Sequence, residues 1–416
     1  MQSSRRYAPL PPPRRDAPVW LMGLTNSVYG MYGGVILIAV PQLLSLRHVP
    51  ESRIAAMTAA MVSPGVWAFL ASPVLDVRFS RRWYSVVSAW AAAALLVLAL
   101  LNLDHLELVE GLLVAGFFFA NLYQSALGGW LSTITRKEQE NELSSWVTIG
   151  NVGGGGAMTV ATGEMVRNLS PGTAALVLGA VILLPTAVFP FMSAPGPDRR
   201  LAAESFRQFF SDVLRLLRRR EVLIAIVIFL APAATFSLTN FLGGIGGDFH
   251  VSSHFASIVG GSGVLVGGVC GCLFFRLIDR LLPLRFLYLA IGVTGALFTL
   301  TLIPLPRTPA MFAVAFVAEN VFQGLAITIA IAITFETIGA RNPLAATTFC
   351  LLTSALNVPI TYMLLVDGWG YDRQGVAGSF ATDAGLGIGA SVLLAALLLW
   401  FKRRRPLPEI LGAETS

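Results

Sequence analysis

Long apolar stretches alternate along the chain with short polar loops. Each stretch is close to, or longer than, the roughly 20 residues that an α-helix needs to cross about 30 Å of hydrocarbon. The first is too long, and lacks the small-residue cleavage site, for a secretory signal, so we expect it to be retained. The pattern predicts twelve spans, at residues 17–45, 54–75, 83–103, 108–134, 143–166, 171–194, 221–247, 254–275, 286–304, 309–335, 343–366 and 380–401.

The composition supports a polytopic membrane protein. Of the 416 residues, 55% are hydrophobic and 12% are charged, whereas soluble domains carry roughly 25% charged residues. Most of the outer surface is therefore expected to face the lipid bilayer. Long apolar runs exclude an outer-membrane barrel, whose strands are about 10 residues long, and three cysteines exclude a disulfide scaffold.

Basic residues predict the orientation. If both termini lie on one side, 24 of the 29 Lys and Arg residues fall in the segments of that side, and the positive-inside rule places it in the cytoplasm. The net charge of +6 therefore reflects topology, and we expect no nucleic-acid partner. No Lys or Arg remains for the membrane centre, which disfavours strongly anionic solutes. The five on the other side are Arg47, Arg53, Arg167, Arg307 and Arg373.

The two halves of the chain resemble each other. Leu24-Thr25-Asn26 matches Leu238-Thr239-Asn240, Asp76 matches Asp279, and the run from Asn121 to Gln124 matches that from Asn320 to Gln323, at offsets of 199 to 214 residues. Such a parallel repeat is typical of transporters built from two bundles. We predict an all-α membrane protein with twelve transmembrane helices in two pseudo-symmetric six-helix bundles.

This repeat divides the chain into five regions. Residues 1–16 and 402–416 are predicted cytoplasmic tails, and 17–194 and 221–401 are the N-terminal and C-terminal bundles. Residues 195–220 form the linker between them. In the linker Phe206, Phe209, Phe210, Val213 and Leu217 share one helical face, which favours an amphipathic helix on the inner leaflet over a solvated linker.

Three runs carry a family resemblance. They are Ser72-Pro73-Val74-Leu75-Asp76 with Arg81 and Arg82, Phe316 to Gly324 with Glu319-Asn320, and Thr347 to Ala355. The chain thereby resembles the major facilitator superfamily, and within it the branch of bacterial muropeptide permeases, acetyl-CoA transporters and siderophore importers. That branch implies import across a bacterial cytoplasmic membrane. The muropeptide permeases carry two acids after a glutamine in helix four, and both are absent after Gln124, so coupling through that helix does not carry over.

Uncharged polar and aromatic side chains inside the spans are the candidate solute site. The resemblance implies that helices one and seven line the cavity, and such a lining suits a medium-sized, weakly charged organic solute. The alternative is that each amide joins helix to helix. The candidates are Asn26, Tyr29, Tyr32, Tyr123, Gln124, Trp130, Asn240, Glu319, Asn320, Gln323 and Asn357.

Acids inside apolar spans are costly unless they are protonated, paired or facing water. Glu319 is expected either to bind solute and carry a proton, or to bridge helices as a protonated acid. Glu164 and Glu336 lie near helix ends and are expected at the interface. A charge-assisted gating latch, with simple topological anchoring as the alternative, is predicted from Asp76, Arg78, Arg81, Arg82, Asp279, Arg280 and Arg285.

The glycine clusters and the cysteines do not match motifs that bind nucleotides or metals. Gly150 to Gly156 and Gly260 to Gly271 lack the Gly-Lys-Ser/Thr of a nucleotide loop, and their spacing allows close helix approach. Because the resemblance implies that helices five and eight meet across the two halves, we interpret these glycines as a sliding seam between the halves. Cys270, Cys272 and Cys350 are interpreted as small apolar fillers. No metal and no cofactor is therefore predicted.

These observations predict a monomeric secondary transporter that imports a siderophore-like solute, or a muropeptide, by alternating access. Protons are a candidate coupling ion. The alternative is a polytopic membrane enzyme acting on a lipid or lipid-linked substrate, although we find no His, Asp or Cys constellation for such chemistry at a membrane face.

Overall fold

The computed structural model describes residues 17–77, 79–194, 211, 214–339 and 342–403. In these segments the backbone forms helices, turns and bends, without any strand. Arg78, Arg341, the N-terminal tail, residues 404–416 and most of the proposed amphipathic helix in the linker lie outside the described residues, as does the side chain of Glu164.

In the first half, short helical pieces precede long ones. The α-helices are Val19–Leu24, Ser27–Gly34, Val40–Leu46, Glu51–Val62, Pro64–Trp67, Arg81–Leu101, Leu106–Ile134, Glu140–Asn168 and Pro171–Leu183. A π-helical turn, Val35–Ala39, and the 3-10 segments Ala68–Leu70, Ser72–Asp76, Lys137–Gln139 and Leu184–Phe191 connect or extend them.

In the second half, too, short helical pieces precede long helices. Its α-helices are Arg220–Leu230, Leu238–Phe241, Ser253–Ser262, Gly268–Ile278, Leu284–Leu302, Pro309–Ile338 and Ala345–Arg403. A 3-10 segment, Leu242–Phe249, and a π-helical turn, Gly263–Gly267, complete it.

Several of these helices have membrane-protein character. Seven described helices are long and apolar enough to cross a membrane: Arg81–Leu101, Leu106–Ile134, Pro171–Phe191, Ile258–Ile278, Leu284–Leu302, Pro309–Ile338 and Ala345–Phe401. Large apolar side chains on them are exposed, with Trp90 at 60% and Leu277 at 74%. Apolar exposure on this scale marks a surface that meets lipid rather than water.

Helix starts follow local sequence rules. The hydroxyl of Ser80 accepts a hydrogen bond from the Trp83 N–H at 3.3 Å, and that of Thr308 accepts one from the Met311 N–H at 3.2 Å. These hydroxyls satisfy N–H groups that have no partner within a first helical turn. Pro309 follows Thr308 directly, at the first helical position, where a missing N–H costs nothing.

Two breaks shape the second half. The long run Ala345–Arg403 is interrupted at Gln374 and Gly375, and Gly375 has φ of 60°, a conformation that glycine adopts without steric cost. Gly370 packs directly against Gly378 beyond the break, so the chain reverses direction there. The predicted spans 343–366 and 380–401 therefore lie on the two sides of one hairpin. The predicted span 221–247 is broken at residues 231–237, which are not helical.

The buried apolar residues divide between the halves. One cluster draws almost all its members from residues 17–192, with Ile331, Phe335, Ile338, Ala345 and Phe349 contributed by the second half. Two further clusters draw theirs from residues 225–394. Each half therefore has an apolar core of its own.

The glycines pack on two different surfaces. Gly30 and Gly34 contact the backbone of Asn151 and Gly155, which joins helices of the first half. Gly156 and Gly268 contact Leu265 and Val152, which joins the Glu140–Asn168 helix to the second half.

The predicted seam is therefore only partly right. Gly263, Gly267 and Gly271 pack on Phe316, Val317 and Val321 within their own half. Their spacing of four places them on one helix face, as the sequence predicts. That face packs closely on the Pro309–Ile338 helix of the same half, and not on the first half.

Gly30 and Gly33 form a matched pair for testing this packing. A Cβ at Gly30 would overlap the Asn151 carbonyl oxygen, whereas a Cβ at Gly33 meets nothing within 4 Å. We expect Gly30→Ala to destabilise the fold by about 1–3 kcal/mol, the usual cost of overpacking. Gly33→Ala should be neutral or slightly stabilising, because alanine favours helices. Thermal unfolding in detergent measures both, and equal melting temperatures for the two variants would contradict the packing.

Candidate functional site

A cavity lined by both polar and apolar side chains lies between the two halves of the chain. It encloses about 640 Å³ of space not filled by protein atoms, part of it open to solvent. Both halves contribute to its wall, and apart from the phenol of Tyr29 no lining residue is ionisable. The lining residues are Asn26, Tyr29, Gln124, Val147, Thr148, Asn151, Ala234, Thr235, Gln323, Ile327, Ile331, Thr353, Leu356, Asn357 and Ile360.

The first half supplies the aromatic side of the cavity. Asn26 lies in the turn between Val19–Leu24 and Ser27–Gly34, and its Nδ2 donates to the Val147 carbonyl oxygen at 3.1 Å. The ring of Tyr29 stacks on Phe117 at 5.6 Å between centroids. These contacts fix both side chains, so they present defined polar atoms and an aromatic face to the cavity.

The second half supplies an irregular backbone and more amides. Gln323 donates from Nε2 to the Thr239 hydroxyl at 2.8 Å, and Asn357 donates from Nδ2 to the Gly65 carbonyl oxygen at 3.2 Å. Thr235 lies in the non-helical segment 231–237, and its buried hydroxyl has no hydrogen-bond partner among the described residues. A solute hydroxyl or carbonyl group would satisfy it.

Five of the predicted solute-site residues line this cavity: Asn26, Tyr29, Gln124, Gln323 and Asn357. Five others do not. The Tyr123 hydroxyl donates to the Thr25 carbonyl oxygen at 2.6 Å, and the Trp130 indole donates to that of Ser193 at 2.9 Å. Tyr32 is buried beside Phe117, the amide of Asn320 donates to its own helix at Phe316, and Asn240 is exposed.

Helical geometry explains why some of the predicted residues line the cavity and others do not. Neighbouring residues on an α-helix point about 100° apart, so Gln124 faces the cavity while Tyr123 turns into the core. Residue type alone placed both side chains in the candidate set. Tyr32, Tyr123, Trp130, Asn240 and Asn320 are not among the described residues that line the cavity.

Glu319 lies beside the cavity rather than in its wall. Its carboxyl group is 1% exposed and accepts a hydrogen bond from the Thr299 hydroxyl through Oε1. Its Oε2 is buried without a hydrogen-bond partner among the described residues. Gln323, one helical turn later, reaches the cavity, so the acid and the cavity are neighbours on the same helix.

The sequence reasoning did not include two further acids in the candidate site, the buried Asp367 and the partly buried Asp383. Asp367 follows the predicted span 343–366 directly, and Asp383 lies only a few residues inside the predicted span 380–401. Because both acids lie near the ends of predicted spans, the sequence suggests that they are solvated at the membrane interface. The hairpin at Gln374 and Gly375 instead extends the helices on either side and buries Asp367 completely. An acid inside an apolar run, as at Asp383, was the signal that could have identified the pair.

At one end of the cavity helices, a buried ion pair joins the halves. Asp76 and Arg81 lie 2.9 Å apart and have completely buried side chains. Asp76 also accepts hydrogen bonds from the Ala346 N–H at 3.2 Å, the Thr347 N–H at 2.8 Å and the Thr347 hydroxyl at 2.6 Å. We call this set of contacts, Asp76 and Arg81 with Ala346 and Thr347, the latch.

The latch is electrostatically favourable for two reasons. Ala346 and Thr347 lie in the first turn of the Ala345–Arg403 helix, where N–H groups lack helical partners and the helix dipole attracts negative charge. Arg81 balances the carboxylate and donates from Nη2 to the Pro343 carbonyl oxygen at 3.0 Å. The loop after the first-half segment Ser72–Asp76 is thereby fixed to the second half.

Asp279, the residue that matches Asp76 in the sequence comparison, makes far fewer contacts between the halves. Asp279 accepts a hydrogen bond from the Asn141 side chain at 3.1 Å, and it reaches no backbone N–H of the Glu140–Asn168 helix. Arg280 is exposed, and Arg82 and Arg285 are partly exposed. Among the described predicted gating residues, the structure brings only Asp76 and Arg81 into one buried network.

A polar cavity between two helical halves of a membrane protein is the arrangement of a solute transporter. The model of the Major Facilitator Superfamily matches residues 22–342, so the chain belongs to that superfamily. The chain is accordingly a transporter and not an enzyme, which removes the lipid-modifying alternative.

A solved structure agrees with this fold. The human organic anion transporter MFSD10 (TETRAN) aligns with a TM-score of 0.67 at 16% sequence identity, over 92% of this chain and 100% of that one. No curated protein matches the sequence significantly. At this identity the likeness shows the fold alone.

The latch can be tested with a neighbouring arginine as control. We expect Asp76→Asn to destabilise the protein by about 3–5 kcal/mol, because it leaves the buried Arg81 unpaired. Arg82→Ala should change stability by about 0.5 kcal/mol or less, as usual for a side chain outside a buried network.

Native Cys350 reports opening at the same end. It is 2% exposed and lies one turn after Thr347. With Cys270 and Cys272 replaced by alanine, we expect Asp76→Asn to accelerate thiol labelling of Cys350, because the helix start is released. Labelling rates that match the unsubstituted background would show that the latch does not hold this end closed.

Proposed function

We propose that the protein is a secondary transporter that moves an organic solute by alternating access around the central cavity. The observation that carries this proposal is a polar cavity lined by both halves, with a buried ionic latch joining those halves at one end. A latch that must break when the halves rock is a suitable gate for alternating access. No nucleotide-binding motif was found, so ion or solute gradients are the proposed energy source.

We further propose twelve membrane-spanning helices in two pseudo-symmetric bundles, residues 17–194 and 221–401. Separate apolar cores in the two halves support this division. The hairpin at Gly375 supports counting residues 345–403 as two spans. The shorter and broken helices at residues 19–46, 51–76 and 220–249 then complete spans that contain non-helical or tightened turns.

The solute we propose is medium-sized and weakly charged. Asn, Gln, Thr and Tyr side chains supply donors and acceptors, and among the described residues neither Lys, Arg, Asp nor Glu lines the cavity. MFSD10 is described as an organic anion transporter, but a cavity without a cation favours a solute of low charge here. The sequence resemblance to siderophore importers and muropeptide permeases favours import of a siderophore-like solute first and a muropeptide second.

The charge distribution of the loops supports an orientation with both termini in the cytoplasm. The resemblance to bacterial permeases favours a bacterial cytoplasmic membrane. The latch would then lie at the cytoplasmic end, so this conformation is closed on that side. We propose that the protein works as a monomer, since the cavity is complete within one chain.

Cavity variants test the solute site. We expect Gln124→Ala and Gln323→Ala each to raise KM about fivefold, because each removes a hydrogen bond to solute of about 1 kcal/mol. Asn240→Ala is the control, since Asn240 is exposed and outside the cavity wall. Labelled siderophore and muropeptide uptake into proteoliposomes gives these values. Equal KM for all three variants and the unsubstituted protein would argue against this cavity as the solute site.

Glu319 tests proton coupling. We propose that Glu319 takes up and releases a proton during transport, because it is buried, carries an unpartnered oxygen and adjoins the cavity. In Glu319→Gln we expect accumulation driven by a pH gradient to be lost, while exchange of internal for external solute continues. Unchanged gradient-driven uptake in this variant would contradict the coupling role.

A further inference from the structure

Two aspartates of the second half contact one hydroxyl group, and a third acid, Glu319, interacts with them electrostatically. The Ser237 Oγ is 2.5 Å from Asp367 Oδ2 and 2.8 Å from Asp383 Oδ1. Glu319 lies within electrostatic range of both aspartates. Asp367 and Ser237 are completely buried, and Glu319 is 1% exposed.

The two distances require a proton on one of the two aspartates. Both separations are those of O–H···O hydrogen bonds, yet a serine hydroxyl carries only one hydrogen. The hydroxyl can donate to one carboxylate, so the other contact needs a hydrogen on the carboxyl group, which then donates to Oγ. One proton shared by the two aspartates satisfies both contacts and leaves a single negative charge instead of two.

Unpartnered polar atoms point to the same place independently of these bonds. Asp367 Oδ1, Glu319 Oε2 and the Ser379 hydroxyl are buried and have no hydrogen-bond partner among the described residues. Ser379 lies one helical turn before Asp383, and therefore on the same helix face. A buried acceptor without a donor is costly, and binding a proton converts a carboxyl oxygen into a donor.

Positive charge does not neutralise this group. No Lys or Arg in the described segments forms an ion pair with any of the three acids. Arg307 is attracted to Asp248 and lies over the Phe249 and Phe380 rings, and the Tyr371 hydroxyl donates to Asp248 at 2.7 Å.

The remaining ionisable groups on the packed helices lie elsewhere. Tyr362 donates to the Leu230 carbonyl oxygen, Glu336 is exposed, and Arg373 lies over the Trp369 ring at 3.8 Å. Tyr288 packs edge-on against Phe229, and Arg285 lies at the start of the same helix. Asp367 and Asp383 therefore face mainly each other and Glu319.

We propose that Asp367 and Asp383, bridged by the Ser237 hydroxyl, form a proton-binding site whose proton exchanges with water and passes to Glu319 beside the cavity. The link to the cavity is short along the chain. Thr235, two residues before Ser237, and Gln323, one turn after Glu319, both line it. Only the coupling of this exchange to solute movement rests on the proposed function.

A proton fits these distances better than sodium does. An oxygen pair at 2.5 Å leaves no space for a metal ion between the two atoms, whereas it is an ordinary length for a strong hydrogen bond. The proposal therefore commits to a proton, and sodium binding is an outcome that contradicts it.

The test measures the proton directly, without solute. Infrared spectra of the full-length protein in lipid bilayers distinguish the C=O stretch of a protonated carboxyl group from carboxylate bands. A Glu319→Gln background removes the signal of that acid. At neutral pH we expect one protonated-carboxyl band that shifts in D₂O. Asp367→Asn and Asp383→Asn should each shift the frequency of the band, because the remaining acid no longer shares its proton with a second aspartate; a band that neither variant moves would contradict the shared proton.

Two further variants control the interpretation. Asp248→Asn removes an acid of the neighbouring Arg307 cluster and should leave the band unchanged. Ser237→Ala keeps both acids but removes their bridge, so the band should shift in frequency. Melting temperatures in the same bilayers show which variants are folded.

Three results would overturn the proposal. They are the absence of the band at neutral pH, a band that does not shift in D₂O, and loss of the band on adding sodium at constant pH. A Ser237→Ala spectrum identical to the background would also overturn the bridging role. Because these spectra need no solute, they stand even if no uptake of siderophores or muropeptides is found.

Discussion

Hydrocarbon offers no hydrogen-bond partner to a peptide group, and this constraint governs the rest of the structure. Backbone inside a membrane must satisfy itself as helix, or lie where protein or a water-filled cavity replaces the lost bonds. The described backbone is accordingly free of strands. Its main break within an apolar span, residues 231–237, places Ala234 and Thr235 in the cavity wall. Irregular backbone and solute site therefore occur together for one physical reason.

The latch applies the same constraint at a helix end. The first N–H groups of a helix are unsatisfied by the helix itself, and here a carboxylate from the other half of the chain satisfies two of them. Arg81 is buried with Asp76, so the pair gains its value only while the halves are together. A contact of this kind has two discrete states, closed or broken, which is what a gate between two rigid bodies needs.

The two halves of the chain use their charged residues differently. Asp76 of the first half forms a buried network, while Asp279 of the second half keeps one side-chain hydrogen bond. The second half instead brings together three acids, of which Glu319 and Asp367 are buried and Asp383 is partly buried. One half thus holds the interlocking charge and the other holds groups suited to binding a proton. This division is possible because each half keeps its own apolar core.

The sequence by itself determined the class of protein, the position of most helices and half of the polar cavity lining. Apolar run length and loop charge are local properties, and they do not depend on which helices become neighbours. Only the tertiary structure decided that Gln124 faces the cavity and Tyr123 the core, that Arg81 rather than Arg82 pairs with Asp76, and that Asp367 meets Asp383. Those facts depend on helix rotation and on contacts between distant segments, and rotation of a helix in lipid is set by packing against its neighbours rather than by its own composition.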